Sequence, residues 1–151
     1  PSTVAPTVSG IDVPPTVAAL VGLPPHPSWQ GVDVLDPEYS GRDRPGFSMT
    51  QYTRWQETVC LDGMKYLYDL TEAQEFLFDL RSDPCERHDL APAHPALADA
   101  MRRLLAGWHT YQLAYYAVAD RRVYIGPYVP DPALLDAIHR AAGRAGFTSA
   151  E

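Results

Sequence analysis

The chain has 151 residues, 46% of them hydrophobic and 21% charged, with 19 acidic against 12 basic side chains and a formal charge of −7. That balance is globular rather than disordered and permits a real core, while the acidic surface argues against nucleic-acid binding, which needs clustered cations to displace phosphate counterions. No apolar run approaches the roughly 20 residues that span a bilayer, and no stretch has the charged start and apolar middle of a signal peptide.

The 15 prolines concentrate in the first third and near Pro127 to Pro132, which marks those regions as loops and element ends. Thr7 to Ile11 has the composition of a short strand. Asp12 then stands where a helix N-cap would, its carboxylate able to accept first-turn amides, and Pro14 and Pro15 are tolerable in that turn. Capping accounts for Asp12 without a metal, the other reading of a lone carboxylate. Val13, Val17, Leu20 and Val21 form an apolar stripe at helical spacing, closed by Gly22 with Pro24 and Pro25 beyond. From His26 to Thr50 the chain reads mostly as loop, through Gly31–Leu35, Asp36-Pro37 and Gly41–Gly46.

Strand signals resume at Phe47, with Ser48–Tyr52 and Glu57–Leu61 as candidates, and Asp62-Gly63 is a tight turn into a strand from Met64. Tyr66-Leu-Tyr-Asp-Leu70 and Phe76-Leu-Phe-Asp-Leu80 are near-copies of one pattern. Alternation sets Tyr66, Tyr68 and Leu70 on one face, and Phe76, Phe78 and Leu80 on one face of the next strand. Pairing Tyr68 with Phe78 would bring all six to the same side. Asp83-Pro84 stops the second strand. The expectation is an antiparallel meander of about four strands.

Leu97, Met101, Leu104, Leu105, Trp108 and Tyr115 recur at helical spacing, which predicts an amphipathic helix from 95 to about 118 lying across the aromatic face. Asp131 and Pro132 open a further helix that Gly143 would end, with Asp136 and Arg140 one turn apart on it and a frayed tail from Ala145. The fold class is therefore α+β, a small meander packed on a long helix. Cys60 and Cys85 fall on opposite faces of the expected sheet, which disfavours a bridge, and Cys85-x-x-His88 lacks the second pair that a zinc site needs. Asp79, Asp83, Glu86 and Asp89 lack the glycine and ligand spacing of a calcium loop and read as a turn network. Trp55 and Trp108 read as core residues rather than sugar platforms.

Val8–Gly22, then Gly31-Val-Asp-Val-Leu35, then Lys65-Tyr66, then Leu77–Ala91 resemble, in that order, the C-terminal part of the sulfatases of the alkaline phosphatase superfamily. Two positions depart from the pattern, Val59-Cys60 where the family has an arginine and Asp89 where it has asparagine. The resemblance implies that residues 1–37 are the last strand and helix of a large α/β catalytic domain. Residues 38–118 would be the C-terminal antiparallel subdomain, and 119–151 a helical extension with no counterpart. It implies a formylglycine nucleophile made from a Cys/Ser-x-Pro-x-Arg motif and a divalent metal, usually calcium, held by Asp and Asn side chains. Neither cysteine here is followed by Pro-x-Arg. Nucleophile and metal ligands are therefore expected upstream of Pro1, with no metal bound by this chain and no activity from it alone.

The implied partners are the N-terminal catalytic domain and a small-molecule or glycan sulfate ester. Because family loops here border the substrate pocket, Tyr39, Arg42, Arg44, Tyr52 and Arg54 are candidate substrate contacts, and His26 a weaker one. Two other readings remain open. The same superfamily includes hydrolases of phosphodiesters and phosphonate monoesters, and an independent noncatalytic α+β binding module would share the same local patterns.

Overall fold

Two turns set the sheet. Asp62, at φ 47°, and Gly63, at φ 73°, occupy the left-handed region that a two-residue hairpin demands. They join β2 (Trp55–Leu61) to β3 (Met64–Asp69). At the other end of β3, the Asp69 carboxylate accepts from the amides of Thr71 and Glu72 at 2.9 and 3.1 Å, folding the chain back into β4 (Gln74–Asp79). With β1 (Gly46–Gln51) the strands form one antiparallel sheet in the order β1-β2-β3-β4. The computed structural model describes residues 7–39, 44–117 and 126–147.

The register of the β3–β4 hairpin differs from the sequence expectation. Tyr66 lies opposite Leu77 and Tyr68 opposite Glu75, while Phe78 faces Lys65. Phe76 and Phe78 therefore project from the face opposite Tyr66, where they stack with centroids 6.2 Å apart. The turn decides this. Closing Asp69 onto Gln74 leaves four residues in the loop, and that count fixes which side each following residue takes. The matched aromatic pattern carries no such constraint. On the inner face one row runs Phe47, Val59, Tyr66, Leu77 across all four strands.

Helix α1 is Val13–Leu20, α2 is Pro95–Ala117 and α3 is Pro132–Arg144. The apolar stripe of α2, Leu97, Met101, Leu104 and Leu105, packs on Val59, Leu61, Met64 and Tyr66, and Ile138 of α3 joins the same cluster. Asp131 accepts from the amide of Ala133, the expected cap. The helix runs past Gly143 to Arg144, and Phe147 N–H closes it by donating to Ala142. Beyond β4, Leu77 N–H donates to Asp89 Oδ1 and Leu90 N–H donates to Leu77, so the chain covers that sheet edge.

Thr7 to Ile11 is not a strand. Residues 10–12 form a short 3-10 turn, closed by the Asp12 amide donating to Ser9 at 3.0 Å. Nor does Asp12 cap α1 with its side chain. One of its oxygens instead accepts from Ser9 N–H, closing the 3-10 turn, and the other from Val32 N–H, 20 residues away.

Candidate functional site

A cleft of about 670 Å³ opens between the N-terminal turn, the Ser28–Gln30 loop, strand β1 with the start of β2, and the C-terminal half of α2. All three tryptophans of the chain, Trp29, Trp55 and Trp108, line it. Trp108 is part core and part wall, since it stacks flat on Phe47 with centroids 4.9 Å apart. Trp55 is 42% exposed at the free end of β2 and belongs to the cleft rather than the core. The core reading thus holds for Trp108 and gives way at Trp55.

Within this cleft sits a paired acid and base. Glu57 occupies an inward position of β2, on the same side as Val59 and Leu61, and is 4% exposed. Burying a carboxylate there is costly unless it is paired. Its partner is His109, whose Nδ1 lies 2.7 Å from Glu57 Oε1. His109 is there because the buried stripe of α2 continues from Leu105 by one turn, and one turn further Gln112 reaches Gln30 at 3.4 Å. Such a pair can orient an imidazole and present its other nitrogen to a ligand. The sequence did carry a signal for both residues: an acid among inward apolar strand positions, and a histidine on a core stripe.

The five residues expected to touch substrate separate. Arg44 lines the cleft, but both its terminal nitrogens are held by Asp12, at 2.7 and 2.8 Å. Tyr39 joins them, its hydroxyl 3.4 Å from Arg44 Nη1 and donating to the Thr7 carbonyl. Burial works to raise the Asp12 pKa, but Arg44 and the amides of Ser9 and Val32 together outweigh it and hold the carboxyl below its ordinary value. Tyr52 is 95% exposed at the β1–β2 turn, and Arg54 pairs with Asp69 at 3.3 Å and Glu72 at 3.4 Å. Neither of these two borders the cleft. Arg42 lies outside the described residues. His26 is engaged with Ser28 at 2.6 Å.

The acidic stretch after β4 is a turn network. Asp83 accepts from the amides of Arg87 and His88, Asp79 from Arg81 N–H and the Ser82 hydroxyl, and Asp89 from Leu77 and Ala91, while Glu86 pairs with Lys65 at 2.8 Å. Oxygens so committed do not fit a cation site, and among the described residues no three His, Cys, Asp or Glu side chains converge as metal ligands. Cys60 and Cys85 are both free thiols. Among the described residues no helix is long and apolar enough to cross a membrane.

No protein-family model matches the chain, and no curated protein matches it in sequence. Solved structures do match. Ps i-CgsB in complex with k-i-k-neocarrahexaose superposes with a TM-score of 0.59 at 21% identity, over 78% of this chain and 30% of that one. BT1596, a 2-O GAG sulfatase, superposes with a TM-score of 0.56 at 22% identity, over 83% of this chain and 28% of that one. The sulfatase-like protein yidJ from Bacteroides fragilis gives a TM-score of 0.55 at 18% identity, over 84% of this chain and 26% of that one. The chain thus spans less than a third of the length of these relatives, and its fold is that of the C-terminal region of sulfatase chains.

Proposed function

We propose that this chain is the C-terminal portion of a sulfatase-like hydrolase that cleaves sulfate esters, working as a scaffold and one wall of the substrate site. The observation that carries this reading is the fold itself, shared over about four-fifths of this chain with under a third of the sulfatase chains. Nucleophile and ligands for a divalent metal, calcium by resemblance, would lie in a large α/β domain upstream, because neither cysteine here is followed by Pro-x-Arg and the acidic stretch after β4 is committed to its own turn amides, Ser82 and Lys65. Residues 1–37 would complete that domain, 38–118 form the subdomain and 119–151 extend it. The apolar side chains that α1 leaves exposed, Val13, Val17 and Leu20, support such a docked arrangement.

The test compares the 151-residue chain with the polypeptide extended upstream through the catalytic domain, using 4-nitrocatechol sulfate. Turnover is expected from the extended polypeptide alone, and loss of turnover when the Cys or Ser of its Cys/Ser-x-Pro-x-Arg motif is replaced by alanine. Turnover by the 151-residue chain itself would overturn the assignment. Hydrolysis of bis(4-nitrophenyl) phosphate with none of the sulfate would move the reaction to a phosphodiester.

A further inference from the structure

We infer that residues 126–131, which lead into α3, are a strap that fixes one wall of the cleft, with Tyr128 seated in a notch left by Gly107 and holding Phe47 and Trp108 in position. The inference concerns the shape of the cleft and holds whatever reaction that cleft serves.

The strap is stiff and fastened at both ends. Pro127, Pro130 and Pro132 each fix their own φ along it. At its start the Tyr111 hydroxyl donates to the Gly126 carbonyl. At its end it enters α3, which places Ile138 and Ala142 in the core, and beyond that helix Phe147 lies edge-on to His94 with centroids 5.0 Å apart. The strap itself adds little to that core. Val129 is 78% exposed and Pro127 is exposed as well, so Tyr128 is its one aromatic ring turned inward.

Gly107 accounts for where that ring goes. A glycine inside a helix is unfavourable relative to alanine, because it has more backbone freedom to lose and no side chain to pack. At this position a Cβ would overlap the Tyr128 hydroxyl oxygen, so the missing side chain is space that Tyr128 fills. The Tyr128 ring is also held from two sides. It meets Phe47 edge-on with centroids 5.7 Å apart and leans on Tyr111, one helical turn beyond Gly107, at 5.6 Å. Burial raises the pKa of its hydroxyl, the Asp131 carboxylate adding to the effect, as expected of a desolvated phenol.

Phe47 transmits this seating to the cleft. Its other neighbour is Trp108, stacked flat on it at 4.9 Å, and both of these rings line the cleft whereas Tyr128 does not. Ring contacts of this kind have preferred geometries, so an edge pressed on Phe47 constrains the plane that Trp108 stacks upon. Three rings from the strap, β1 and α2 thus form one assembly. Removing the Tyr128 ring leaves the lining residues intact but takes away their support. Tyr128 acts through Phe47 and is a positioning residue.

The test labels the 151-residue chain with 5-fluorotryptophan, so that Trp29, Trp55 and Trp108 each report in fluorine-19 spectra. Trp29→Phe and Trp55→Phe, outside the stack, assign the resonances. Tyr128→Ala should shift or broaden the Trp108 resonance and leave the other two in place, a selectivity that general loosening of the fold would not produce. Tyr128→Phe should keep the wild-type position, because the ring and not the hydroxyl touches Phe47. Gly107→Ala should displace the Trp108 resonance, since the added methyl drives the ring from its seat. Combining Gly107→Ala with Tyr128→Phe should restore it, and that double variant should melt about 3 °C above Tyr128→Phe alone, the shift expected when glycine becomes alanine within a helix. Circular dichroism shows whether each variant is folded, and if Tyr128→Ala is not, the Gly107→Ala variant and its rescue decide the matter. A Trp108 resonance unmoved by Tyr128→Ala in a folded chain overturns the inference, as do three resonances that move together. So does a Gly107→Ala variant with the wild-type Trp108 resonance, or one that Tyr128→Phe does not rescue.

Discussion

Arg44 and Asp12 face each other through a two-pronged ion pair, Nη2 to Oδ1 at 2.7 Å and Nη1 to Oδ2 at 2.8 Å, across 32 residues of sequence. Asp12 is 2% exposed, and its two oxygens also receive the amides of Ser9 and Val32. The pair fastens the N-terminal turn and the 31–34 segment to the entry of β1. Replacing Arg44 with methionine leaves a buried carboxylate without its counter-ion, which should cost about 3 kcal/mol. Urea unfolding followed by tryptophan fluorescence measures this, and Asp12→Asn combined with Arg44→Met should recover part of the loss. A midpoint unchanged by Arg44→Met would mean that the pair carries no net stability.

Acid should unfold the protein through a small set of carboxylates. Asp69 is held below its ordinary pKa chiefly by the Gln56 amide and also by the amides of Glu72 and Thr71, against the opposing effect of burial. Glu75 is lowered first by the Tyr66 hydroxyl and then by Arg102, and Asp83 by the amides of His88 and Arg87. Their folded pKa values lie below the unfolded ones, so the stability they add is complete above about pH 5, declines as pH falls through the unfolded values and is gone below the folded ones. The melting temperature should therefore hold steady down to about pH 5 and fall steeply below it. Asp69→Asn should remove part of that slope while lowering the plateau, since the loop amides lose a charged acceptor. An acid slope unchanged by this substitution would count against Asp69 as a contributor.

What the sequence showed was what neighbouring residues decide. The Asp62-Gly63 turn, the Asp131-Pro132 start and the Leu97–Leu105 stripe each depend on groups within a turn or two, and each forms as expected. The β3–β4 register did not follow, because alternation fixes which residues share a face but not which faces meet. That choice fell to the Asp69 loop. Asp12 looked like a cap because capping is the local option, and Arg44 was too remote in sequence to appear as the competitor. Glu57 and His109 lie 52 residues apart and acquire meaning only when α2 crosses β2. The expected substrate arginine that does reach the cleft arrives already bonded, and that saturation is a property of packing rather than of residue type.

Two glycines should be intolerant of alanine for different reasons. At Gly31 a Cβ would overlap the Ile11 carbonyl, so the backbone of one segment must move away from the other and the Val32-to-Asp12 bond is lost with it. At Gly63 a Cβ meets only the Arg81 side chain, which can swing aside, but the φ of 73° remains strained for any residue with a Cβ. Gly63→Ala should cost about 1–2 kcal/mol, and Gly31→Ala more. Thermal melts of the two variants test the order. The reverse order would show that the 31–34 segment separates from the N-terminal turn at little cost.

The exposed side of α1 gives the last prediction. The helix buries Pro15 and Ala18 but leaves Val13, Val17 and Leu20 open, with Val21 and Leu23 beside them. Such a contiguous apolar surface is larger than scattered exposed residues account for and marks a face that another surface covers. The 151-residue chain should therefore bind 8-anilinonaphthalene-1-sulfonate and associate at high concentration. Val17→Lys with Leu20→Lys should abolish both effects and leave the melting temperature almost unchanged, because neither side chain contributes to the core. In the extended polypeptide the same double substitution should lower stability by several kcal/mol, since about 0.8 kcal/mol accompanies each buried methylene and two cations would be forced into a dry interface. A double variant that behaves like wild type in the extended polypeptide would mean that α1 faces solvent there, and the docked arrangement would have to be abandoned.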